Sequence, residues 1–228
     1  MIRRSLLAAC LAALATAVQA DPKPTPLSVV ELFTSQGCSS CPPADENVAA
    51  LSSRPDVLAL SFGVTYWNQL GWKDTFGQDV FTRRQVDYAH ALGHDGPFTP
   101  QVVVDGRIDT VGNVRADIER LIRDKRVQGP ELTLAKDSLQ VGAGSAPRAP
   151  ADVWLVRYDP RVQMVPVRAG ENGGRTLPIK NAVKTLTRLG DWRGAATRFS
   201  LPPAPPGLST AVLVQTKGAG PILAAAKD

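Results

Sequence analysis

The chain has 228 residues, a formal net charge of +5 at neutral pH and a hydrophobic share of 43%. This length fits one large domain or two small ones, and the hydrophobic share is enough for a packed core, which excludes a disordered chain. Its three cysteines are too few for a fold that disulfides hold together.

The first 20 residues have the pattern of a cleavable export signal. Arg3 and Arg4 precede an apolar run over residues 6–18, and the segment ends in the small-x-small tripeptide that closes at Ala20. The apolar run is shorter than the roughly 20 residues that a spanning helix needs. We therefore expect a periplasmic or secreted protein with no stable membrane insertion after cleavage at residue 20.

Removal of residues 1–20 has two consequences for the mature chain. The formal charge falls from +5 to +3, which is too small an excess to predict a nucleic-acid partner. Cys10 leaves with the signal, so Cys38 and Cys41 are the cysteines of the mature chain. A lipid attachment site at Cys10 is disfavoured, because too little apolar sequence precedes it.

The start of the mature chain predicts a strand, a helix and a second strand. Residues 27–34 and 57–64 are apolar, valine-containing runs that are too short for helices. Between them, Pro42 and Pro43 fit the first turn of a helix, where a missing N–H is tolerated. This order implies a parallel strand pair with a right-handed crossover.

Four further elements are expected before residue 128. Residues 66–78 form an aromatic insertion, and residues 80–92 form a helix that ends at Gly93. A β-hairpin over residues 101–111 turns at Asp105-Gly106, and a closing amphipathic helix follows over residues 114–122.

After residue 129 the sequence pattern changes to short β-branched or alternating runs separated by turn residues. We interpret residues 130–228 as a small, sandwich-like antiparallel β module. The glycine-rich residues 170–176 lack the Gly-Lys-Ser/Thr ending of a phosphate loop and are interpreted as a turn. The predicted strands are residues 131–135, 138–141, 152–158, 164–167, 182–186, 197–201 and 210–216.

Cys38 and Cys41 are spaced as Cys-x-x-Cys at the predicted start of a helix. Unpaired N–H groups and the positive end of the helix dipole favour the thiolate of the first cysteine, so Cys38 is the expected nucleophile. Cys41 lies one turn further along and is placed to attack a mixed disulfide on Cys38. The predicted chemistry is thiol–disulfide exchange with a protein or small-molecule thiol or disulfide partner, without a cofactor.

Two alternatives remain for the cysteine pair. One is a Cu(I) or zinc site in which His90 and His94 join Cys38 and Cys41, although 48 residues separate the two pairs. The other is a non-catalytic binding protein with a structural disulfide. A loop of four residues makes such a disulfide a weak constraint, worth about 2 kcal/mol.

Two carboxylates lie near the cysteines in sequence. Glu31 stands within an apolar strand and either takes the proton of Cys41 during exchange or pairs with a Lys or Arg. Asp45, in the first turn of the helix, is favoured as a partner of the helix dipole over a catalytic group.

The order of elements around the cysteines resembles thioredoxin-like proteins. In that superfamily a cis-proline packs beside the cysteine pair and binds the backbone of the substrate, and the resemblance places this role on Pro100, which follows Thr99. Tyr66, Trp67 and Trp72 either wall a substrate groove beside Cys38 or pack as a satellite core. The chain departs from thioredoxin itself in having Ser39-Ser40 between the cysteines and no tryptophan before Cys38.

A closer resemblance rests on the stretch VELFTSQGCSSCPPAD at residues 30–45. It is similar to a secreted bacterial family catalogued as domain of unknown function 1223, which implies the thioredoxin-like fold but no settled activity. Further matching segments are Tyr66-Trp67, Gly71-Trp72-Lys73-Asp74, Phe98-Thr99-Pro100-Gln101, Val103-Val104-Asp105-Gly106 and Gly170-Glu171-Asn172.

We therefore expect an α/β protein in which a thioredoxin-like domain at residues 27–128, with a central mixed sheet flanked by helices, precedes the β module. The candidate catalytic residues are Cys38, Cys41, Pro100 and Glu31, and the candidate substrate-binding residues are Thr99, Tyr66, Trp67 and Trp72.

Overall fold

The computed structural model describes residues 26–123 and 129–228. The predicted export signal at residues 1–20 lies outside them. No helix within these two ranges is long and apolar enough to cross a membrane.

The described residues form three α-helices, a short 3₁₀ turn at Asn68–Leu70 and thirteen strands. The helices are α1 (Pro42–Leu51), α2 (Asp79–Ala91) and α3 (Arg115–Arg123). The first strands are β1 (Ser28–Thr34), β2 (Val57–Gly63), β3 (Gln101–Val104), β4 (Ile108–Thr110), β5 (Leu132–Leu134) and β6 (Ser138–Val141). The others are β7 (Ala151–Asp159), β8 (Gln163–Pro166), β9 (Thr176–Ile179), β10 (Ala182–Trp192), β11 (Thr197–Ser200), β12 (Ser209–Thr216) and β13 (Ile222–Lys227).

A mixed eight-stranded sheet organises the chain, in the order β13-β12-β7-β10-β2-β1-β3-β4. β1 pairs with β2 in parallel and with β3 in antiparallel, and β4 completes the hairpin with β3. The mixed α/β fold class and the predicted strand–helix–strand order are confirmed.

Alternation along β1 sends its side chains into two different cores. Val30 and Leu32 pack with the apolar faces of α1 and α3, whereas Val29 and Phe33 pack with α2 on the other side of the sheet. All seven residues of β1 are buried, as a strand covered on both faces requires. The two faces of β1 therefore belong to different helices, which decides where its polar side chains lie.

The sheet does not stop at the boundary predicted between residues 128 and 130. β10 meets β2 in parallel where Ala182 pairs with Ser61, and Asn181 donates its side-chain amide to the Ala59 carbonyl at 2.7 Å. β7, β12 and β13 then extend the same sheet, so the expected β module shares its main sheet with the first half.

Two smaller sheets complete the C-terminal half. β5, β6 and β11 form a three-stranded sheet whose apolar side packs on β7 and β12 through Leu139, Val153 and Val212. β8 and β9 form a hairpin that packs against Trp72 and Phe76. The sequence does not predict β9, which contains a proline, or β13, which is rich in alanine, because neither has a β-branched alternating pattern.

A buried polar network joins the two halves across the α2 face of the sheet. Arg84 of α2 donates to Glu31 of β1 at 2.8 and 3.1 Å, and it also donates to the Gln215 side chain of β12 at 3.0 Å. Tyr88 donates its hydroxyl to Glu31 and accepts from Gln215 at 2.8 Å. Glu31 has no exposed surface, so the ion pair with Arg84 compensates its carboxylate for the loss of contact with water.

We expect Arg84→Met to lower the free energy of unfolding by about 3–5 kcal/mol, because it leaves a buried carboxylate without its cation. Urea unfolding of the oxidised protein measures this change. Arg115→Met removes an arginine from the exposed Arg115–Glu119 pair and is the matched control, expected to change stability by less than about 1 kcal/mol. Equal effects of the two substitutions would contradict the role assigned to Arg84.

Candidate functional site

Cys38 and Cys41 are joined in a disulfide at the start of α1, with their Cα atoms 5.5 Å apart. Cys41 is the N-cap of the helix, and its carbonyl accepts the N–H groups of Ala44 at 2.9 Å and Asp45 at 3.1 Å. The two residues after it, Pro42 and Pro43, carry no N–H, so they supply no donor to a thiolate. A thiolate at this helix start would therefore be favoured by the helix dipole alone, without hydrogen bonds from the N–H groups of the first two helical residues.

A serine hydroxyl supplies a donor instead. The Oγ of Ser40 lies 3.4 Å from the Sγ of Cys38, within hydrogen-bonding reach of sulfur. Ser39 and Ser40 are exposed, whereas Cys38 and Cys41 have no exposed surface. The serines are thus the solvent-facing part of the Cys-x-x-Cys turn.

A loop from the C-terminal half lies over this turn. The side-chain amide of Asn172 donates to the carbonyls of Gln36 at 3.0 Å and Cys38 at 2.8 Å. Glu171 accepts the N–H of Ser39 at 2.9 Å, a contact that lowers the pKa of its carboxyl. We call residues 170–172 the cover loop.

The sequence predicts a turn in the region of the cover loop but not its contact with the cysteine turn. Asn172 is fully buried although it lies between turn residues. The available signal was the match of Gly170-Glu171-Asn172 to the same family as the cysteine stretch.

Trp67 connects the cysteine turn to the cis peptide. The bond between Thr99 and Pro100 is cis, and Pro100 is buried just before β3. The indole N–H of Trp67 donates to the Thr99 hydroxyl at 2.7 Å, and a Cβ built on Gly37 would lie 3.2 Å from the Cβ of Trp67. The ring of Tyr66 lies 6.2 Å from that of Trp67 between centroids.

The rest of the aromatic segment holds the loop that precedes Cys38. Trp72 donates its indole N–H to the Gln36 side chain at 2.9 Å, and the backbone N–H of Gln36 donates to Asp74 at 2.7 Å. Asp74 is buried, which raises its pKa. The structure therefore places Tyr66, Trp67, Trp72 and Thr99 around the cysteine turn, and their role in substrate binding stays a prediction.

Asp45 is the buried carboxyl on the cysteine side of the sheet. It is 7% exposed, its Oδ2 accepts the Thr34 hydroxyl at 3.1 Å, and its Oδ1 has no hydrogen-bond partner among the described residues. Burial, and to a smaller extent the nearby charge of Asp74, raises the pKa of Asp45 to about 8. At neutral pH the carboxyl is protonated, so it adds no charge to the helix dipole.

Glu31 lies on the opposite face of the sheet from α1. Its carboxylate is held by Arg84 and Tyr88 of α2, which is the ion pair that the sequence left open as the alternative to proton transfer. The structure therefore does not bring Glu31 together with Cys41.

The four residues of the alternative metal site do not form one. Cys38 and Cys41 share a disulfide, and the Nε2 of His94 lies 2.8 Å from the Oδ2 of Asp109. Over residues 26–123 and 129–228, no group of three or more His, Cys, Asp or Glu side chains is arranged to hold a metal ion.

Asp45→Asn is expected to stabilise the protein in a pH-dependent way. The native pKa of about 8 lies above the ordinary value of 3.8, so unfolding releases a proton between these values and rising pH favours unfolding. Asparagine has no proton to release, so the variant does not lose folding stability in this way as the pH rises. Its stabilising effect should start near pH 4, grow by up to about 1.4 kcal/mol per pH unit and level off near pH 8.

Urea unfolding of both oxidised proteins at pH 4, 6 and 8 measures the difference. Glu46→Gln, at the exposed position next along the helix, is the control: it keeps Asp45, so its stability difference from wild type should change little with pH. A stability difference between wild type and Asp45→Asn that does not change with pH would show that Asp45 is ionised in the native protein.

Comparisons place this site within a family. The chain matches the family described as Protein of unknown function (DUF1223) over residues 29–215, and no curated protein matches it. The crystal structure of protein AGR_C_4864 from Agrobacterium tumefaciens is 32% identical, with a TM-score of 0.74, over 88% of this chain and 92% of that chain. HBP35 of Porphyromonas gingivalis, at 13% identity and a TM-score of 0.59, matches 90% of this chain and 75% of its own and shows the fold alone. The family match confirms the resemblance found in the cysteine stretch, and the chain belongs to the family described as Protein of unknown function (DUF1223).

Proposed function

We propose that the protein is an exported, thioredoxin-like exchange protein that transfers a disulfide to, or accepts one from, a protein or small thiol partner. The observation that carries the proposal is the Cys38–Cys41 disulfide at the start of α1, with the Ser40 hydroxyl 3.4 Å from the Cys38 sulfur. The cis peptide before Pro100, linked to this turn through Trp67 and Thr99, supports it.

The exchange begins when a partner thiolate attacks the Sγ of Cys38. A new disulfide forms between partner and Cys38, the Cys38–Cys41 bond breaks, and Cys41 leaves with the electron pair and gains a proton. A second thiolate on the partner then attacks its own sulfur in the mixed disulfide and releases Cys38 as a thiolate. The partner is oxidised by two electrons, and the cysteine pair is reduced.

We assign the attack to Cys38, because the hydroxyl of the exposed Ser40 lies 3.4 Å from its Sγ. Cys41 is instead followed by the buried Pro42 and lies at the base of the helix. The Ser40 hydroxyl can donate to a Cys38 thiolate and favour it as a leaving group. Tyr66, Trp67 and Trp72 line the approach in this proposal, and the peptide at Thr99-Pro100 meets the partner's backbone.

The complete burial of both cysteines favours a second candidate, a non-catalytic binding protein with a structural disulfide. The two candidates differ in one property. A working exchange site must open when the cover loop moves away, whereas a structural disulfide resists reduction.

The reduction potential of the Cys38–Cys41 pair distinguishes the two. We expect a value between roughly −120 and −270 mV, the range of exchange proteins, after equilibration of the mature protein in glutathione buffers and trapping of free thiols under denaturing conditions. A value below about −300 mV would assign the disulfide a structural role.

Single cysteine variants test which sulfur reacts. Reduced Cys41→Ser should form a stable mixed disulfide with oxidised glutathione, detected by intact mass, because no second thiol resolves it. Cys38→Ser is the matched control and should form this adduct far more slowly. Equal adduct formation by both variants would refute the assignment of Cys38 as the attacked sulfur.

The cover loop is expected to limit access to the disulfide. Asn172→Ala removes two hydrogen bonds to the cysteine turn and should speed reduction by dithiothreitol about tenfold, as expected when roughly 1.4 kcal/mol less is needed to open the loop. Asn47→Ala removes a comparable bond from α1 to Gly112 and should leave the rate unchanged. Unchanged reduction of Asn172→Ala would mean that the cover loop does not gate the site.

A further inference from the structure

Glu171 of the cover loop places a carboxylate beside the Cys38 sulfur. Its Oε2 accepts the backbone N–H of Ser39 at 2.9 Å. The Ser39 nitrogen is linked to the Sγ of Cys38 through Cβ, Cα and the carbonyl carbon, a path that spans at most roughly 5 Å. The carboxylate oxygen therefore lies within roughly 8 Å of the sulfur, close enough for its charge to act on a partner that approaches Cys38.

The negative charge of Glu171 is not paired with a cation. Glu171 and Ser39 are both exposed, and hydrogen bonds from the backbone and side chain of Ser39 lower the pKa of the Glu171 carboxyl, so it is ionised at neutral pH. Over residues 26–123 and 129–228, no lysine, arginine or histidine forms an ion pair with it. A partner at Cys38 therefore meets an uncompensated carboxylate.

The arginine that follows the cover loop does not supply the missing cation. Nη1 of Arg175 donates to Oδ1 of Asn172 at 2.7 Å, whereas Nδ2 of Asn172 donates to the Cys38 carbonyl at 2.8 Å. The guanidinium and the cysteine turn are thus held by different edges of one amide. Arg175 reaches the turn only through Asn172, while Glu171 contacts the turn directly.

The net positive charge of the whole chain does not reverse this local effect. At physiological ionic strength, exposed charges more than about 8 Å apart are largely screened from one another. Glu171 lies within that distance of Cys38, and the buried Asp45 beside the turn is protonated. The carboxylate of Glu171 is therefore the charge that decides which partners come close to the sulfur.

We infer that Glu171 makes the site select its partner by charge, favouring a thiol or disulfide with basic groups beside the reacting sulfur over an acidic one. This inference rests on the proposed function and adds to it the class of partner. Glu171 changes the encounter with Cys38 and takes no part in the sulfur chemistry, so it is a specificity-determining residue. The partner that fits best carries lysine, arginine or another cationic group next to its sulfur.

Oxidation of the reduced mature protein by small disulfides tests this preference. The probes are cystamine, which is cationic, hydroxyethyl disulfide, which is neutral, and dithiodipropionate, which is anionic. The Cys38 thiolate attacks a probe and releases one probe thiolate. Cys41 then loses its proton, attacks Cys38 and releases the second, so one probe is reduced for each cysteine pair oxidised. Each rate is divided by the rate of the same probe with 2-mercaptoethanol, which removes differences in intrinsic reactivity.

The measured quantity is the ratio of the normalised rates with cystamine and dithiodipropionate. For wild type at low ionic strength it should be about five, as expected for unit charges roughly 8 Å apart in water. Glu171→Gln keeps an acceptor for the Ser39 N–H but has no charge, so its ratio should be close to one. Glu171→Lys should bring the ratio below one. Raising the ionic strength from about 10 mM to about 0.5 M should lower the wild-type ratio toward that of Glu171→Gln.

Glu131→Gln is the matched control. Glu131 is exposed just before β5, so the substitution removes the same charge from the chain away from the cysteine turn, and the ratio should keep its wild-type value. The rate with the neutral probe reports any change of access to Cys38. It keeps the test independent of a folding effect in either Glu171 variant.

The outcomes separate this inference from the proposed function. A wild-type ratio near one overturns the role of Glu171, and so does a ratio that Glu171→Gln leaves unchanged. If the ratios behave as expected but the reduction potential is that of a structural disulfide, the charge preference at Cys38 stands and the exchange function falls.

Discussion

The contact between Asn172 and the carbonyls of Gln36 and Cys38 is the interaction on which the site depends. It joins residues more than 130 positions apart and places a loop from the C-terminal half on the cysteine turn. Because these carbonyls are buried, they need a hydrogen-bond donor from the protein, and the Asn172 amide supplies it. The cysteine turn is therefore complete only when both halves of the chain are folded.

Local patterns were sufficient to predict the elements of the first half. The buried runs of β1 and β2, the prolines that begin α1 and the turn at Asp105-Gly106 are short-range signals, and each element lies where they indicate. These signals contain no information about which loop from the second half would meet Cys38. That contact depends on the path of β8 and β9. The second of these strands was not predicted, because it contains Pro178.

The two carboxyls show why the site itself was harder to predict than the fold. Glu31 and Thr34 are separated by an odd number of positions on β1, so their side chains point to opposite faces of the sheet. The sequence does not state which face α1 covers. The packing of Val30 and Leu32 against α1 places Thr34, and with it Asp45, on the side of the cysteines. Glu31 faces α2, where the buried Arg84 neutralises it.

The joining of β10 to β2 has a consequence for any attempt to shorten the protein. Every residue of β2 is buried, and the strand carries no charge along its length. Residues 180–182 cover its outer edge, where Ser61 donates to the Lys180 and Asn181 carbonyls at 2.8 and 3.0 Å. Cutting the chain after α3 would turn β2 into an exposed, uncharged edge strand, the type of edge that pairs with other chains and aggregates.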